Sequence, residues 1–491
     1  MSKSAFEMET LTCTHFSLAG RPATVTALAE GLKIEVPTKI KHNVLLAWAD
    51  VLGANTTRQG SGLLSGVSDR MPLVVHTFEK ARNGKRRASS IVLEVAKAVD
   101  QQDIDQWIKI IAYFANPMRP VATTAMPASI DDVLQNEPKK RKFLVLINPV
   151  SGQGKAEKLF KKVDSLFAHA NIDVTKVLTD RAGHATDAAT TFDYTTYDAL
   201  VVVGGDGLAY EVVQGLMGRA DWAAAIQSPL GILPAGGGNG LAKSLTEAAG
   251  ETYCFENCAY LLLKGQSQPL DLASLRNKTE TCYCFLSLSW AFMADVDSES
   301  EKYRFAGSQR FALAAVGKIL SGKNWSGSFS YLEEMADDEP PQYWDAHAAG
   351  EAAAPTLSLL PPSPDDPTPK TWKTIEGDFS LFWAMNVAWA GEDGCVAPSA
   401  DPNDGYMYAV IAPGKITKGD YMGLLLSVES GGHVQKPFVQ VIKTRAFEVR
   451  VPESDLMMAD GERFEGGFCQ VEVHRGLGRV LRIAKEPTVA S

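Results

Sequence analysis

The fold is decided by a stretch in the middle of the chain, ALVVVGGDGLAYEVVQGL at residues 199–216. Its first five residues are a continuous apolar run, which is typical of a strand buried on both faces of a parallel sheet. The run leads directly into Gly204-Gly205-Asp206-Gly207, and the residues that follow are compatible with a helix. The stretch therefore predicts a strand, a glycine-rich turn and a helix in direct succession.

The same design occurs at two further places in this half of the chain. FLVLI at 143–147 precedes the loop NPVSGQGK at 148–155, and apolar residues at helical spacing follow that loop. LGIL at 230–233 precedes PAGGGNG at 234–240. Alternation of strands and helices in this way predicts a parallel sheet with helices on its faces.

All three loops fall at the carboxyl ends of predicted strands, where ligands bind in open parallel sheets. Glycines let the backbone approach a polyphosphate closely, and helix N-termini offer unpaired N–H groups to its oxygens. Three such loops together favour a nucleotide-phosphate site over plain tight turns. The loops match neither the Walker spacing G-x-x-x-x-G-K-[ST] nor the dinucleotide motif G-x-G-x-x-G.

Composition indicates the broad class of protein. The chain has 491 residues, of which 45% are hydrophobic and 22% charged, typical of a soluble globular protein of roughly three domains. Its formal net charge of -10 argues against nucleic acid as a partner. Seven cysteines, an odd number, favour core thiols in a reducing compartment over disulfides or zinc ligands. No apolar run reaches the length of a spanning helix, so we predict a cytoplasmic protein with peripheral membrane contact.

Residues 1–120 are predicted to form a β-rich module. Short alternating runs begin at Leu11, and residues 102–114 then switch to helical spacing around Trp107. Several strands followed by one amphipathic helix resemble a pleckstrin-homology-like module, although any other small β domain fits as well. The basic turn at 85–87 is a candidate site for anionic lipid head groups, and a solvated turn is the favoured alternative.

Residues 140–270 are predicted to be the α/β nucleotide-binding domain and 271–491 a mainly antiparallel β domain, with a linker at 121–139. Residues 283–294 are expected to be one strand-like run, and a helix is expected around 308–320. The segment 333–374 is rich in Pro, Ala and acidic residues, which predicts a disordered insertion. The predicted fold class is therefore α/β plus β in three parts.

The loops and their flanks resemble the diacylglycerol kinase catalytic fold, which lipid kinases and NAD kinases share. GGDGLAYEVVQGL (204–216), LPAGGGNGLAKSL (233–245) and SLSWAFMADVDSESEKYRFAGSQRF (287–311) look like sphingosine kinases. The resemblance covers residues 142–485 without the insertion. It implies a nucleotide domain and a β-sandwich lipid-binding domain, with the active site in the cleft between them.

This resemblance implies a kinase that transfers the γ-phosphate of ATP, with Mg²⁺, to the primary hydroxyl of a sphingoid long-chain base. It assigns the general base to Asp206, and phosphoryl transfer to an alcohol does need a base near the hydroxyl. It implies that the nucleotide is held by Asn148, Ser151, Gly152, Gly154, Thr179, Gly204, Gly205, Gly207, Glu211, Gly236, Gly237, Gly238, Arg304, Arg310, Asp460 and Glu462.

Some of these assignments have alternatives. Guanidinium groups suit phosphates because they offer a planar fork of donors, but Arg304 would equally well pair with Glu299 or Glu301. Asp460 is also a candidate Mg²⁺ ligand, mostly through the ATP phosphates, and an ordinary hairpin turn at 460–462 is the alternative.

The resemblance assigns Asp297 to the amino and hydroxyl groups of the sphingoid head. A protonated amine needs a carboxylate partner in a partly dry pocket, whereas diacylglycerol has no amine and ceramide has only an amide. Asp295 is expected to alternate with Asp297 along a strand and to be structural. The other candidate lipid-binding residues are Ser287, Phe292, Met293, Phe311 and Leu320. For the apolar residues among them, plain core packing is the alternative.

Other functions stay open at this point. A ceramide or diacylglycerol kinase would keep the fold, and a non-catalytic membrane-binding scaffold with a degenerate kinase fold would explain the N-terminal module. An NAD kinase fits the long second domain poorly. The sequence leaves the preferred sphingoid base and the oligomeric state open, a homodimer included.

Overall fold

The computed structural model describes residues 11–37, 43–56, 72–95, 101–119, 127, 130–300, 302–303, 310–321, 323–333, 339–347 and 354–483. They form an N-terminal antiparallel module, a parallel α/β part and a C-terminal antiparallel part, in chain order. None of the helices within these ranges is long and apolar enough to cross a membrane.

The N-terminal module is an antiparallel sheet covered by one helix. Its elements are β1 (Thr12–Leu18), β2 (Arg21–Ala27), β3 (Gly31–Glu35), β4 (Val44–Ala47), β5 (Val51–Thr56), β6 (Leu73–Lys80), β7 (Arg86–Val95) and α1 (Gln101–Ala115). The strand order is β4-β3-β2-β1-β7-β6-β5. Helix α1 buries Ile104, Trp107 and Ile111, spaced to lie on one face. The predicted β-rich character of this region is confirmed.

Part of the predicted linker is structured. Helix α2 (Ile130–Gln135) follows the module, and its Val133 is buried in the module's core. Most of the preceding residues, 120–126 and 128–129, lie outside the described residues. The end of the predicted linker therefore belongs to the N-terminal module, because Val133 completes its core.

The α/β part is the predicted parallel sheet with helices. Its elements are β8 (Arg141–Ile147), α3 (Ser151–Gly154), α4 (Ala156–His169), β9 (Ile172–Leu178), α5 (His184–Thr190), β10 (Ala199–Gly204), α6 (Asp206–Met217), α7 (Trp222–Ala225), β11 (Leu230–Pro234), α8 (Gly240–Ala248) and α9 (Phe255–Lys264). The parallel order is β11-β10-β8-β9, and β10 is buried along its whole length. The chain moves outward from β8 in both directions, so the gap between β8 and β10 is a topological switch point.

The C-terminal part is mainly antiparallel. Its elements are β12 (Gln266–Arg276), β13 (Thr281–Cys284), β14 (Ser287–Ala291), α10 (Phe292–Ser300), α11 (Arg310–Ser321), β15 (Trp325–Tyr331), α12 (Tyr343–Ala346), β16 (Lys373–Met385), β17 (Trp389–Gly391), β18 (Gly394–Cys395), β19 (Met407–Pro413), α13 (Lys418–Val428), a 3-10 helix (Gly432–Gln435), β20 (Gln440–Thr444), β21 (Ala446–Arg450), β22 (Met457–Ala459), β23 (Glu462–Phe464) and β24 (Phe468–Arg482). Its core contains Trp290, Phe329, Phe382 and Phe447, whose rings contact one another in edge and tilted geometries.

The last strand joins the α/β part and the C-terminal part. β24 pairs antiparallel with β12 and β21, and near its end Val480 pairs with Leu230 of β11 in parallel. The predicted boundary at 270/271 lies inside β12 and is therefore wrong as a break between domains. One continuous hydrogen-bonded sheet crosses it.

The expected strand run at 283–294 is also interrupted. β13 ends at Cys284, and α10 begins at Phe292 directly after Ala291, whose backbone has a left-handed φ of 61°. The amides of Phe285, Leu286 and Ser287 turn toward one buried carboxylate, described below. The apolar composition of this run could not predict the turn, because side-chain hydrophobicity does not indicate where backbone N–H groups point.

The insertion at 333–374 is not wholly disordered. Residues 354–372 pack on the C-terminal part, where Leu360 and Trp372 are buried. The buried Glu472 carboxylate accepts hydrogen bonds from the backbone N–H groups of Ser358, Leu359 and Leu360 at 2.9, 3.0 and 3.2 Å. Residues 334–338 and 348–353 lie outside the described part of the chain. Apolar packing and hydrogen bonds to a buried carboxylate thus order a segment whose composition predicted disorder.

The N-terminal module docks on the α/β part through a buried arginine. Arg86 forms ion pairs with Asp50 at 2.6 Å and with Glu251 at 2.8 Å, and its guanidinium carbon lies 3.3 Å from the ring centroid of Tyr260. Asn257 accepts the Arg86 backbone N–H at 2.8 Å. Arg86 is therefore unavailable to lipid head groups, so it does not belong to the candidate lipid site at 85–87.

We predict that Arg86→Met destabilises the protein by about 3 kcal/mol, because it leaves the buried Glu251 carboxylate without its closest cation. The free energy of unfolding in urea measures the loss. Arg87→Met is the matched control, since its side chain is exposed, and should change stability by less than about 0.5 kcal/mol. Equal effects of the two substitutions would contradict the docking role.

Candidate active site

The three glycine-rich loops meet at the carboxyl end of the parallel sheet. A Cβ atom on Gly236 would lie 2.8 Å from the Gly205 Cα, and one on Gly205 would lie 2.9 Å from the Gly238 carbonyl oxygen. Real side chains do not tolerate such approaches, so glycine is required where the second and third loops touch. The predicted convergence of the loops is present in the fold.

The first loop has the backbone geometry of an anion site. Val150 is right-handed, and Gly152, Gln153 and Gly154 follow with left-handed φ values of 61°, 58° and 77°. The Asn148 side-chain oxygen accepts the Val150 N–H at 3.1 Å and fixes the turn. Successive N–H groups in such a right-to-left turn form a concavity that binds anions. The loop follows β8 and therefore borders the switch point of the sheet.

Asp206 is the first residue of α6, with only 5% of its surface exposed. Its Oδ2 accepts the Gly240 N–H at 2.6 Å, and its Oδ1 accepts the Leu241 N–H at 3.4 Å. These amides begin α8, so Asp206 caps that helix and not the one that follows it in sequence. Asp206 is buried in this way because the third loop folds over the second.

The environment of Asp206 suits proton transfer near neutral pH. Burial raises the pKa of its carboxyl to about 7; the two N–H donors oppose this rise, and the charge of Asp460 adds to it. The folded protein therefore holds this proton more tightly than the unfolded chain, and the stability that Asp206 contributes falls as the pH rises toward 7. A carboxylate with such a pKa can accept a proton and release it again at physiological pH.

Asp460 is the centre of a second hydrogen-bond network, within the C-terminal part. It lies in a turn between β22 and β23, is 3% exposed, and has a left-handed φ of 50°. Its carboxylate accepts the N–H groups of Phe285, Leu286 and Ser287 at 3.0, 2.9 and 2.8 Å and the Cys284 thiol at 2.8 Å. These four donors occupy the carboxylate. This structural role argues against the predicted roles of Asp460 in binding Mg²⁺ and ATP.

The same network gives Ser287 a structural place. Its N–H donates to the Asp460 carboxylate, and its carbonyl oxygen accepts the Asp460 N–H at 2.8 Å. Ser287 is buried at the start of β14. Phe292 is likewise buried in the core between Trp325 and Tyr421, with ring centroids 6.4 and 4.7 Å away. For both residues the structure favours packing over the predicted contact with lipid.

Glu462 lies beside the second loop, and Asp297 lies beside the turn at 460–462. A Cβ atom on Gly207 would be 3.3 Å from the Glu462 Oε1, and a Cβ atom on Gly461 would be 4.0 Å from the Asp297 Oδ2. The second loop, the turn at 460–462 and α10 are therefore neighbours. The structure brings Asp206, Glu462 and the half-buried Asp297 to this one region.

Asp295 differs from Asp297 in its surroundings. It is buried and forms ion pairs with Lys318 at 3.3 Å and Lys323 at 3.1 Å. Both aspartates lie on α10, not on a strand as expected, so they point in directions about 200° apart around the helix axis. The predicted structural role of Asp295 agrees with these ion pairs.

Other predicted nucleotide-binding residues lie around the loops. Thr179 directly follows β9, and Glu211 accepts the N–H groups of Gly183 and Ala185 at 3.0 Å each, which caps α5. Glu211 therefore positions the segment after β9. Arg304 lies outside the described residues. Arg310 begins α11, but its side chain and that of Phe311 fall outside the described part of the chain, as does the Leu320 side chain.

Sequence reasoning missed Asn239, which is buried at the end of the third loop. Its Nδ2 donates to the Gly236 carbonyl oxygen at 2.8 Å, and its buried Oδ1 has no hydrogen-bond partner among the described residues. An unpaired buried acceptor at a site is a position for a ligand donor. The signal was available, because Asn239 is the one polar residue within the run GGGNG.

Metal-binding residues are few at this site. Within the described ranges, no group of three or more His, Cys, Asp or Glu side chains is placed to hold a metal ion. Mg²⁺ commonly takes one or two carboxylates together with substrate phosphates and water. Glu462, whose Oε1 would be 3.3 Å from a Cβ atom on Gly207, is a carboxylate compatible with this coordination.

Two family models match the α/β part and the C-terminal part. Residues 142–275 match the diacylglycerol kinase catalytic domain, and residues 373–482 match the YegS C-terminal NAD kinase beta sandwich-like domain. The predicted α/β domain and C-terminal β-sandwich are thereby confirmed. A solved structure of a diacylglycerol kinase from Bacillus anthracis overlaps 72% of this chain and all of its own, with a TM-score of 0.45 and 16% identity.

Several curated relatives are similar in sequence. Sphingosine kinase 1 of Homo sapiens is 34% identical over 69% of this chain and 90% of its own length. Sphingosine kinase 1 of Arabidopsis thaliana is 32% identical over 66% of this chain and 68% of its own. Sphingoid long chain base kinase 4 of Schizosaccharomyces pombe is 27% identical over 70% of this chain and 75% of its own length. The chain belongs to the sphingosine kinase family.

Proposed function

We propose that this protein transfers the γ-phosphate of ATP to the primary hydroxyl of a sphingoid long-chain base: sphingosine, dihydrosphingosine or phytosphingosine. The observation that carries the proposal is the buried Asp206 carboxylate, which lies where three phosphate-type loops border a cleft that also contains Asp297. This arrangement supports the proposal, because a base, a phosphate site and an amine-binding carboxylate would then lie together.

The triphosphate would lie along the three loops. Glycines at the loop contacts let the backbone reach the phosphate oxygens, and the left-handed turn at 152–154 supplies N–H groups. We propose Asn148, Ser151 and Thr179 as flanking residues, with Glu211 positioning the segment after β9. Mg²⁺, held by the ATP phosphates and Glu462, would neutralise the charge between donor and acceptor.

Asp206 would act as the general base. The substrate hydroxyl gives its proton to the carboxylate as its oxygen bonds to the γ-phosphorus, and the bond from that phosphorus to the β-γ bridging oxygen breaks to release ADP. The amides of Gly240 and Leu241 hold the carboxylate in one orientation. The raised pKa of Asp206 makes it basic enough to accept the proton and acidic enough to lose it afterwards.

Asp297 would bind the head group of the lipid. Its carboxylate lies beside the turn at 460–462, close to the second loop, and in a half-buried position an ammonium group is its natural partner. Ceramide and diacylglycerol have no ammonium group, which favours a free sphingoid base over the alternative lipid acceptors.

The lipid would enter from a membrane surface near α11 and α13. Leu313 and Val316 on α11 and Met422 and Leu426 on α13 are exposed, Leu426 to 79%. Helix α11 packs on α10, which carries Asp297. Exposed apolar residues of this kind suit peripheral contact with a bilayer, where a substrate with a long alkyl chain resides. With seven free cysteines, we propose a cytoplasmic, peripherally membrane-associated enzyme.

We predict that the wild type, given radiolabelled ATP and Mg²⁺, phosphorylates sphingoid bases and not ceramide, diacylglycerol or NAD⁺. Asp206→Asn should lose transfer by about 10²-fold or more, because the base is removed while the hydrogen-bonded shape is kept. Asp187→Asn, an exposed carboxylate on α5, is the matched control and should retain activity. Transfer to ceramide or diacylglycerol would contradict the proposed substrate, and unchanged activity of Asp206→Asn would contradict the proposed base.

We predict that Asp297→Asn raises KM for sphingosine by about tenfold or more and leaves KM for ATP within about twofold, because a charge-assisted bond to the amine is lost. Glu299→Gln is the matched control on the same helix, and its effect on sphingosine KM should be small. Steady-state kinetics with each substrate varied in turn measures both constants. An equal rise in both KM values would overturn the head-group assignment.

A further inference from the structure

A cavity of about 180 Å³ lies between the N-terminal module and the α/β part. Its walls come from β5, the end of α1, the start of β8, the end of α4 and the end of α9. Arg141 begins β8 and Asn148 follows its end, so the cavity is about 20 Å from the glycine-rich loops along that strand. The volume is smaller than that of pockets for drug-sized ligands and suits a small ion or group.

Lys264, the last residue of α9, lines this cavity and is 8% exposed. Its Nζ donates to the carbonyl oxygens of Trp48 at 3.0 Å and Ala115 at 2.6 Å, both in the N-terminal module. An ammonium group has three donors, so these two bonds leave one to be used. No carboxylate among the described residues lies within ion-pair distance of Lys264.

Arg141 lines the same cavity and is also without a described ion-pair partner. Its Nη2 donates to the Leu263 carbonyl oxygen at 2.7 Å, and its guanidinium lies 5.5 Å from the ring centroid of Phe143. A guanidinium has five donors in a fixed fork. Burial lowers the pKa of Arg141 to about 10, and burial together with the charge of Arg141 lowers the pKa of Lys264 to about 7.

The rim adds further positive charge. Lys109 and Lys139 line the opening together with Glu137, which pairs with Lys109 at 2.9 Å. These four cations line the cavity with one carboxylate, and the charges of Asp50 and Asp198 act on Lys264 and Arg141 from beyond ion-pair distance. Buried cations are normally paired, because an isolated charge in the interior is strongly unfavourable. Lys264 is buried and Arg141 is half-buried, and an anion between them would supply the close charged partner that neither has among the described residues.

We propose that this cavity is a second anion site, which binds a phosphate group between the Arg141 guanidinium and the Lys264 ammonium. The phosphate is either free or carried by a lipid head group. Because Lys264 also bonds two carbonyl oxygens of the N-terminal module, the bound anion strengthens the docking of that module. The proposal does not depend on the lipid kinase activity, since the site lies at the opposite end of β8 from the loops.

The test is calorimetric titration of inorganic phosphate into the full-length wild type and Lys264→Gln. Glutamine keeps N–H donors for the Trp48 and Ala115 carbonyl oxygens but removes the charge. We expect wild type to show a site that Lys264→Gln weakens by about tenfold or more, and Lys140→Gln to leave it unchanged. Lys140 is an exposed neighbour paired with Asp173 outside the cavity. Anion binding at the glycine-rich loops is common to all three proteins and cancels in the comparison.

Two further arms complete the test. Flotation with phosphatidylcholine vesicles, with and without phosphatidylinositol phosphate, distinguishes a lipid head group from free phosphate, since only the head group makes flotation depend on Lys264. A crystal of the wild type soaked in tungstate should show anomalous density between Arg141 and Lys264, which needs no variant to fold. Equal phosphate binding by folded wild type and Lys264→Gln, or an empty cavity in the tungstate crystal, would overturn the proposal.

Discussion

The hydrogen bonds from the first amides of α8 to the Asp206 carboxylate are the contacts on which the site depends. They tie the second glycine-rich loop to the third, and the Asp206 N–H strengthens the connection by donating to the Gly238 carbonyl oxygen at 3.0 Å. Helix N-termini favour anions. The same bonds therefore stabilise the Asp206 carboxylate, whose burial would otherwise be energetically unfavourable. Hydrogen bonds therefore join the proposed base and the second and third loops.

A second buried carboxylate, Asp460, gives the cleft its other wall. By collecting four donors from residues 284–287 it holds the turn at 460–462 against the start of β14. β24 continues from the β-sandwich into the parallel sheet, so the two walls belong to one hydrogen-bonded framework. The proposed roles of Asp297 and Glu462 both depend on their placement at the edge of this framework.

The parts predicted well from the sequence are those that local pattern determines. Apolar runs followed by glycines predicted β8, β10 and β11 and the meeting of their loops, because parallel strands place their carboxyl ends on one edge. Several of the errors share one cause, which is long-range contact with a buried carboxylate. Asp460 broke the expected strand at 283–294, and Glu472 ordered residues expected to be disordered. Asp206 capped a helix 34 residues away, which no local pattern records.

The most direct test of this account is the pH dependence of kcat for sphingosine phosphorylation at saturating ATP. If Asp206 is the base, only its ionised form is active, so log kcat should rise with unit slope at low pH and level off above an apparent pKa near 7. The residual rate of Asp206→Asn should lack this limb. A wild-type kcat that stays constant from about pH 5.5 to 8.5 would show that another group takes the proton, and would contradict the central claim.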